Sequence, residues 1–259
     1  MHMKHIYSIV ILLFLVCLPS AGMDMSVDSL NLLKTQADSA YANEDFEGAE
    51  RIYLQLAEQG ESAVVCYNLG CTYYRQDNIA KAVLWFERAA QLDPSDDDIR
   101  FNLAMARGKT IDRIIPRHEM FFVSAWKTLM HSQSVTDWAY WALGAFVLTL
   151  LLVALYLYCS AIALRKVGFF GAIITFMMCI LFNVLAYSLR NYNNTHTAGI
   201  IMEPAVTVRS TPTKSGADLF VIHEGTRVEI RDNGMRDWAE VQIADGKVGW
   251  IEKSTYEAI

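Results

Sequence analysis

The chain has 259 residues, of which 53% are hydrophobic and only 19% charged, with a net charge of −6. That balance excludes intrinsic disorder as the main state, because disordered chains combine low hydrophobicity with high net charge. Fourteen glycines, five prolines and five cysteines exclude a collagen-like fibre and a disulfide scaffold, and the acidic charge excludes a general nucleic-acid-binding surface. The apolar excess is localised, beginning at the N-terminus. Lys4 precedes an apolar stretch from Ile6 to Leu18, and Pro19, Ser20, Ala21 and Gly22 follow as a small-residue exit, so residues 1–22 read as a secretory signal peptide. The alternative is a retained anchor, for which the stretch is short. Val16 before Cys17 is too bulky for a lipoprotein signal.

Residues 23–110 are acidic and repetitive. Fifteen carboxylates fall within 24–98, against eight bases from Lys34 to Lys109. Counting from Ala63, Leu69, Gly70, Tyr73, Ala82, Phe86, Ala89 and Pro94 occupy positions 7, 8, 11, 20, 24, 27 and 32 of a 34-residue unit. The small residues suit two helices that cross closely, Tyr73 and Phe86 fill the space beside them, and Pro94 stops the second helix. This segment resembles a tetratricopeptide repeat, departing at Cys66, where the family usually has tryptophan. A weaker unit begins at Leu30, with Ala37, Phe46, Ala49 and Tyr53 in matching places. Leu103-Ala104 lies 34 residues after Leu69-Gly70 and predicts a capping helix from about Asp96 to Arg107, its acidic start favourable against the helix dipole. The resemblance implies a protein-binding scaffold of about two and a half repeats. Its ligand-facing positions carry over to Asn31, Lys34, Asp38, Tyr41, Val64, Tyr67, Asn68, Cys71, Tyr74, Arg75, Phe101 and Met105. Tyr67 and Tyr74 are equally readable as packing between repeats. Capture of a C-terminal carboxylate is not expected, since Asp38 and Asp98 oppose the clamp that Lys34 and Asn68 would suit.

Residues 111–137 form a bridge in which Phe121, Phe122, Ala125, Trp126, Leu129 and Met130 share one face of a helix. Such a helix either lies in a membrane interface or packs on the repeats. Two uncharged runs follow, 138–164 and 167–189, each long enough to cross a bilayer. Only Arg165 and Lys166 separate them, which predicts an antiparallel transmembrane hairpin with its turn at 165–166. The positive-inside rule puts that turn in the cytoplasm. Both soluble regions then lie in the periplasm, and the chain is a multi-pass protein of the inner membrane. Asn183, strongly polar within the second run, is read as bonding to the first span or to a partner helix.

Residues 190–197 read as a polar tether. From 198 the hydrophobic period becomes two, with five short strands at 206–209, 219–222, 227–231, 239–243 and 248–251. The runs Ala205-Val-Thr-Val-Arg-Ser-Thr-Pro212 and Asp245-Gly-Lys-Val-Gly-Trp-Ile251 make residues 198–259 similar to a bacterial SH3-like domain. Trp238 and Trp250 are expected in its core. No zinc-ligand spacing, nucleophile constellation or phosphate-binding loop occurs, so no enzyme, metal or cofactor is predicted, and no disulfide is implied.

The fold class is therefore multi-domain: an all-α tetratricopeptide-repeat solenoid, a two-helix transmembrane hairpin and a small all-β SH3-like barrel. This order of modules resembles the BatE family, the repeat-containing members of the Bat (Bacteroides aerotolerance) operon proteins. The resemblance implies partners among von Willebrand A-domain membrane proteins, an indirect connection to a MoxR-type ATPase, and a role in aerotolerance or in oxidative or envelope stress. The alternative is a cell-wall sensor whose SH3-like domain binds peptidoglycan while the repeats recruit a protein. The lipid bilayer is a partner in either case.

Overall fold

The computed structural model describes residues 25–60, 62–114, 120–195 and 197–259; the predicted signal peptide lies outside the described residues. Five helices come first: α1 Met25–Ala42, α2 Phe46–Gln59, α3 Ala63–Arg75, α4 Ile79–Leu92 and α5 Asp97–Arg107. Their boundaries repeat with the sequence. Asp45 and Asn78, 33 residues apart, cap α2 and α4 by accepting from the backbone of Gly48 and Lys81. The residues just ahead of them, Glu44 and Asp77, both have φ of 61°, the left-handed turn that reverses the chain between paired helices. Ser62 and Asp96, 34 residues apart, cap α3 and α5.

The core of the repeats holds Leu69, Tyr73, Ala82, Phe86 and Ala89, all buried. A Cβ added at Gly70 would lie 2.5 Å from the Phe86 ring, so glycine is what lets α3 and α4 approach. The repeats pack in sequence, α1 on α2, α3 on α4, and α5 on α4.

After α5 come α6 Phe121–Met130, α7 Val135–Tyr158 and α8 Ile162–Thr195. The last two, with mean hydropathies of 2.1 and 2.3, are long and apolar enough to cross a membrane. They pack antiparallel through small residues of α8: a Cβ at Gly168 would lie 2.8 Å from the Leu152 carbonyl oxygen and 2.9 Å from the Tyr156 nitrogen. The hydroxyl of Thr149 meets that of Thr175 at 2.8 Å, a polar contact between the helices. Asn183 instead donates to the Cys179 carbonyl in its own helix, not to the first span. At the other end Trp138 stacks on Phe182, and its indole N–H donates to the Met130 carbonyl of α6.

Three boundaries differ from those expected. The reversal lies at Cys159–Ala161 rather than at Arg165–Lys166, which occupy the first turns of α8. Helix α7 starts at Val135, where Ser134 caps it, instead of at Trp138. Helix α8 runs on to Thr195 and absorbs most of the predicted tether at 190–197. The physical reason is common to all three: charge marks where a segment meets water, whereas a helix ends where its backbone loses partners. Arg165 still marks the turn end of the hairpin, its guanidinium 5.4 Å from the Tyr156 ring centroid.

The C-terminal domain is an antiparallel sheet of seven strands: β1 Ala198–Ile201, β2 Ala205–Arg209, β3 Asp218–His223, β4 Arg227–Asp232, β5 Trp238–Gln242, β6 Val248–Glu252 and β7 Tyr256–Ala258, ordered β3-β2-β6-β5-β4-β1-β7. The five expected strands are joined by β1 and β7, each too short to carry a period-two signal. Val206, Val208, Ile222, Val228, Ala239, Val241 and Ile251 point inward as the core. The neighbouring positions Trp238 and Trp250 therefore face outward and are only half-buried, contrary to the expectation that they fill the core.

The two soluble regions are not separate bodies. Ile200 of β1 is fully buried in the core of the repeats, with Met202 and Ile259 packed beside it. Arg88 of α4 donates to the Ala258 carbonyl at 2.7 Å and pairs with Glu257. Glu87, nearly buried on α4, pairs with Arg107 of α5 and lies 3.8 Å from Arg227 of β4. Asp112, just past α5, accepts from the His223 backbone N–H at 2.7 Å, meets the His223 ring Nδ1 at 2.8 Å and accepts from the Thr226 hydroxyl at 2.7 Å. Burial alone would raise the pKa of Asp112, but these bonds and the adjacent histidine outweigh it and hold the carboxyl below its ordinary value.

Candidate protein-binding face

The inner helices of the repeats are α1, α3 and α5, and the twelve ligand-facing candidates lie on them. Structure divides these residues into a tied polar end and an open apolar end. At the polar end, Asp38 accepts from Lys34 at 2.7 Å, from the Tyr53 hydroxyl at 2.6 Å and from Asn68 at 3.3 Å. Burial works against the Asp38 charge, yet the bonds from Lys34 and Tyr53 prevail and lower its pKa. Lys34 and Asn68 are thus spent on an internal acid, and the geometry offers no basic clamp for a carboxylate. Asn31 is exposed on the same helix.

Tyr41 packs edge-on against Phe46, over which the Arg75 guanidinium sits at 5.3 Å. Tyr74 carries the Lys109 ammonium 4.2 Å above its ring. Tyr67 leans on Phe86 and accepts from the Asn102 side chain at 3.1 Å, joining α3 to α5. Burial, then the neighbouring Cys71 and the acids Asp98 and Asp96, push the Tyr67 hydroxyl up to about 12, so it stays a neutral phenol. Burial also pushes the Cys71 thiol up, against a hydrogen bond with Tyr67, which disfavours the reactive thiolate.

Three large apolar side chains stand near this Tyr67–Asn102 bridge. Val64 stands one turn before Tyr67 and is 53% exposed; Phe101, beside Asn102, is 69% exposed; Met105 lies one turn further along α5 and is 37% exposed. Exposed large apolar groups beside half-buried tyrosines make this surface a candidate for binding. Asn102 and Lys109 escaped the sequence reading. The signal that could have found Asn102 is its place next to Phe101 on the predicted capping helix; Lys109 lies past that helix and carried none.

The C-terminal domain offers Trp238 and Trp250 on its outward sheet face, with Val248 exposed two residues before Trp250 on β6 and Val221 exposed on β3. Among the described residues, no group of three or more His, Cys, Asp and Glu is placed to hold a metal.

Comparison with known families matches residues 63–96 to the tetratricopeptide repeat and residues 204–256 to the bacterial SH3 domain. No curated protein matches the chain. Both matched modules are typically binding domains rather than catalytic ones, so the chain joins a helical repeat scaffold and a bacterial SH3 domain through two apolar helices.

Proposed function

We propose that this protein is a membrane-anchored scaffold whose repeats receive a protein partner at the Val64–Phe101–Met105 surface, with both soluble regions in the periplasm. The observation that carries this reading is that exposed apolar side chains lie on α3, inside the matched repeat, and on α5, just beyond it. Docking of the C-terminal domain on α4 supports a hairpin whose two ends share one side of the membrane. Reporter fusions test the side: an enzyme active only outside the cytoplasm, fused after Asn191, is expected to work, and activity of a cytoplasm-only reporter there overturns the orientation.

The partner that the module order favours is a von Willebrand A-domain membrane protein of a Bat-type complex, acting with a MoxR-type ATPase in aerotolerance or envelope stress. A photo-crosslinker at Phe101 in native membranes, followed by mass spectrometry, is expected to recover such a protein, with a crosslinker at Arg51 on α2 as the comparison. Recovery of none sinks the complex. The outward Trp238 and Trp250 favour a second reading, in which the bacterial SH3 domain holds peptidoglycan. Retention of the detergent-solubilised full chain on purified sacculi, lost in Trp250→Ala, would support it.

A further inference from the structure

A cleft of about 1220 Å³ lies where three parts of the molecule meet: the segment after α5, the helix α6 with the end of α8, and the β domain. Arg107, Arg113, Lys127, Arg227 and Arg231 all line it, against Asp112 and Glu229. The carboxylate of Asp112 is engaged by His223 and Thr226, and Glu87 from behind offsets Arg107 and Arg227. A positive balance remains. Among the described residues, Arg231 hydrogen-bonds to neutral Gln242 and Arg113 is exposed, whereas Arg227 is held by Glu87 at 3.8 Å and by Glu229 at 4.0 Å.

The position of this cleft selects among anions. Its floor is α6, which contributes Ser124 and Lys127 to the cleft while Phe121 (84%), Phe122, Trp126 and Leu129 stay exposed. Met130, at the end of α6, is buried against Leu185 and Leu189, so α6 is pinned at the end of the apolar helices rather than on the repeats. Tyr192, also in the lining, stands three residues beyond Leu189, about 4.5 Å along the helix axis. The headgroup layer of a bilayer begins at that depth and extends for roughly 5–7 Å. Arginine guanidinium groups bind phosphate oxygens through two parallel N–H donors.

We propose, resting on the reading of α7 and α8 as a membrane anchor, that this cleft binds a phosphate-bearing anion at the membrane surface, with Arg113 and Arg231 as its donors. An anionic phospholipid headgroup and a soluble phosphate share this chemistry. The test uses the full chain in nanodiscs of phosphatidylcholine with and without phosphatidylglycerol, read by lipid retention in native mass spectrometry. Wild type is expected to prefer phosphatidylglycerol by about 25-fold, and the Arg113→Gln/Arg231→Gln variant to lose that preference, since each of the two basic residues near an anionic surface is worth roughly fivefold in binding. A charge-matched Arg51→Gln/Arg236→Gln variant is expected to keep it. Inorganic phosphate and pyrophosphate, titrated in phosphatidylcholine nanodiscs, separate the sources: thermal stabilisation of wild type but not of the double variant, without lipid preference, assigns a soluble anion. No response to either probe, or equal responses in wild type and the Arg113→Gln/Arg231→Gln variant, overturns the proposal. Failure of the anchor reading shows separately, as release of the protein from native membranes by alkaline carbonate.

Discussion

Gly168→Leu is expected to spring the helical hairpin open. The atoms that a Cβ at this position would meet are the Leu152 carbonyl oxygen at 2.8 Å, the Tyr156 nitrogen at 2.9 Å and the Tyr156 Cα at 3.2 Å, all backbone. Backbone inside a helix cannot rotate away as a side chain can, so the helices must separate along the whole seam. In lipid no hydrophobic force holds two apolar helices together; close packing and the Thr149–Thr175 contact do. The expected loss is about 3 kcal/mol of helix–helix association, the upper range for overpacking a tight contact. Cysteines placed at Thr149 and Thr175 report it: their crosslinking in membranes should collapse in Gly168→Leu. Gly171→Ala should crosslink normally, because there the nearest atoms belong to the flexible end of Leu152. Undiminished crosslinking in Gly168→Leu would refute this account of the seam.

The second large effect is at Asp112. Replacement by alanine removes the acceptor of the His223 N–H, the Thr226 hydroxyl and the contact with the His223 ring. Bonds to a charged acceptor are each worth about 1.5–3 kcal/mol, and partial exposure reduces the sum, so a loss of about 3 kcal/mol in docking of the β domain is expected. Every 1.4 kcal/mol is tenfold in population, so the His223 amide should exchange its hydrogen roughly a hundredfold faster in Asp112→Ala. Unchanged exchange would mean that Ile200 and Arg88 alone hold the interface. The same carboxylate sets a pH dependence. Its folded pKa lies below the ordinary 3.8, so its contribution is complete above that value and is lost as pH falls through the lowered pKa. Acid below pH 3.8 should therefore loosen the wild-type interface, and Asp112→Ala should abolish that part of the acid response.

What the sequence made legible was local. The 34-residue period is readable because each repeat needs the same small residue at the same helix crossing, as Gly70 against Phe86 demonstrates. Alternation exposed five strands because one face of each is buried. Contacts between distant parts were not readable. Asp112 looks like any loop acid and His223 like any strand end, and only their meeting across 111 residues gives either a role. Trp238 and Trp250 face outward although their size suggests burial, because their register beside Ala239 and Ile251 decides the face. Of the candidate site, Val64, Phe101 and Met105 are exposed on the inner helices, while Lys34 and Asn68 both donate to Asp38, which residue type alone does not reveal.

The uninterrupted α8 has a mechanical meaning. Its 34 residues form a rod about 51 Å long. Only residues 196 and 197 separate that rod from β1, and Ile200 is seated among the repeats. With so little slack, the rod works as a lever arm. A tilt of about 5° at the turn end would carry the far end through about 4 Å, given that length. Any tilt of α8 is therefore passed to the β domain and, through Ile200, to the repeats, so the three parts move together.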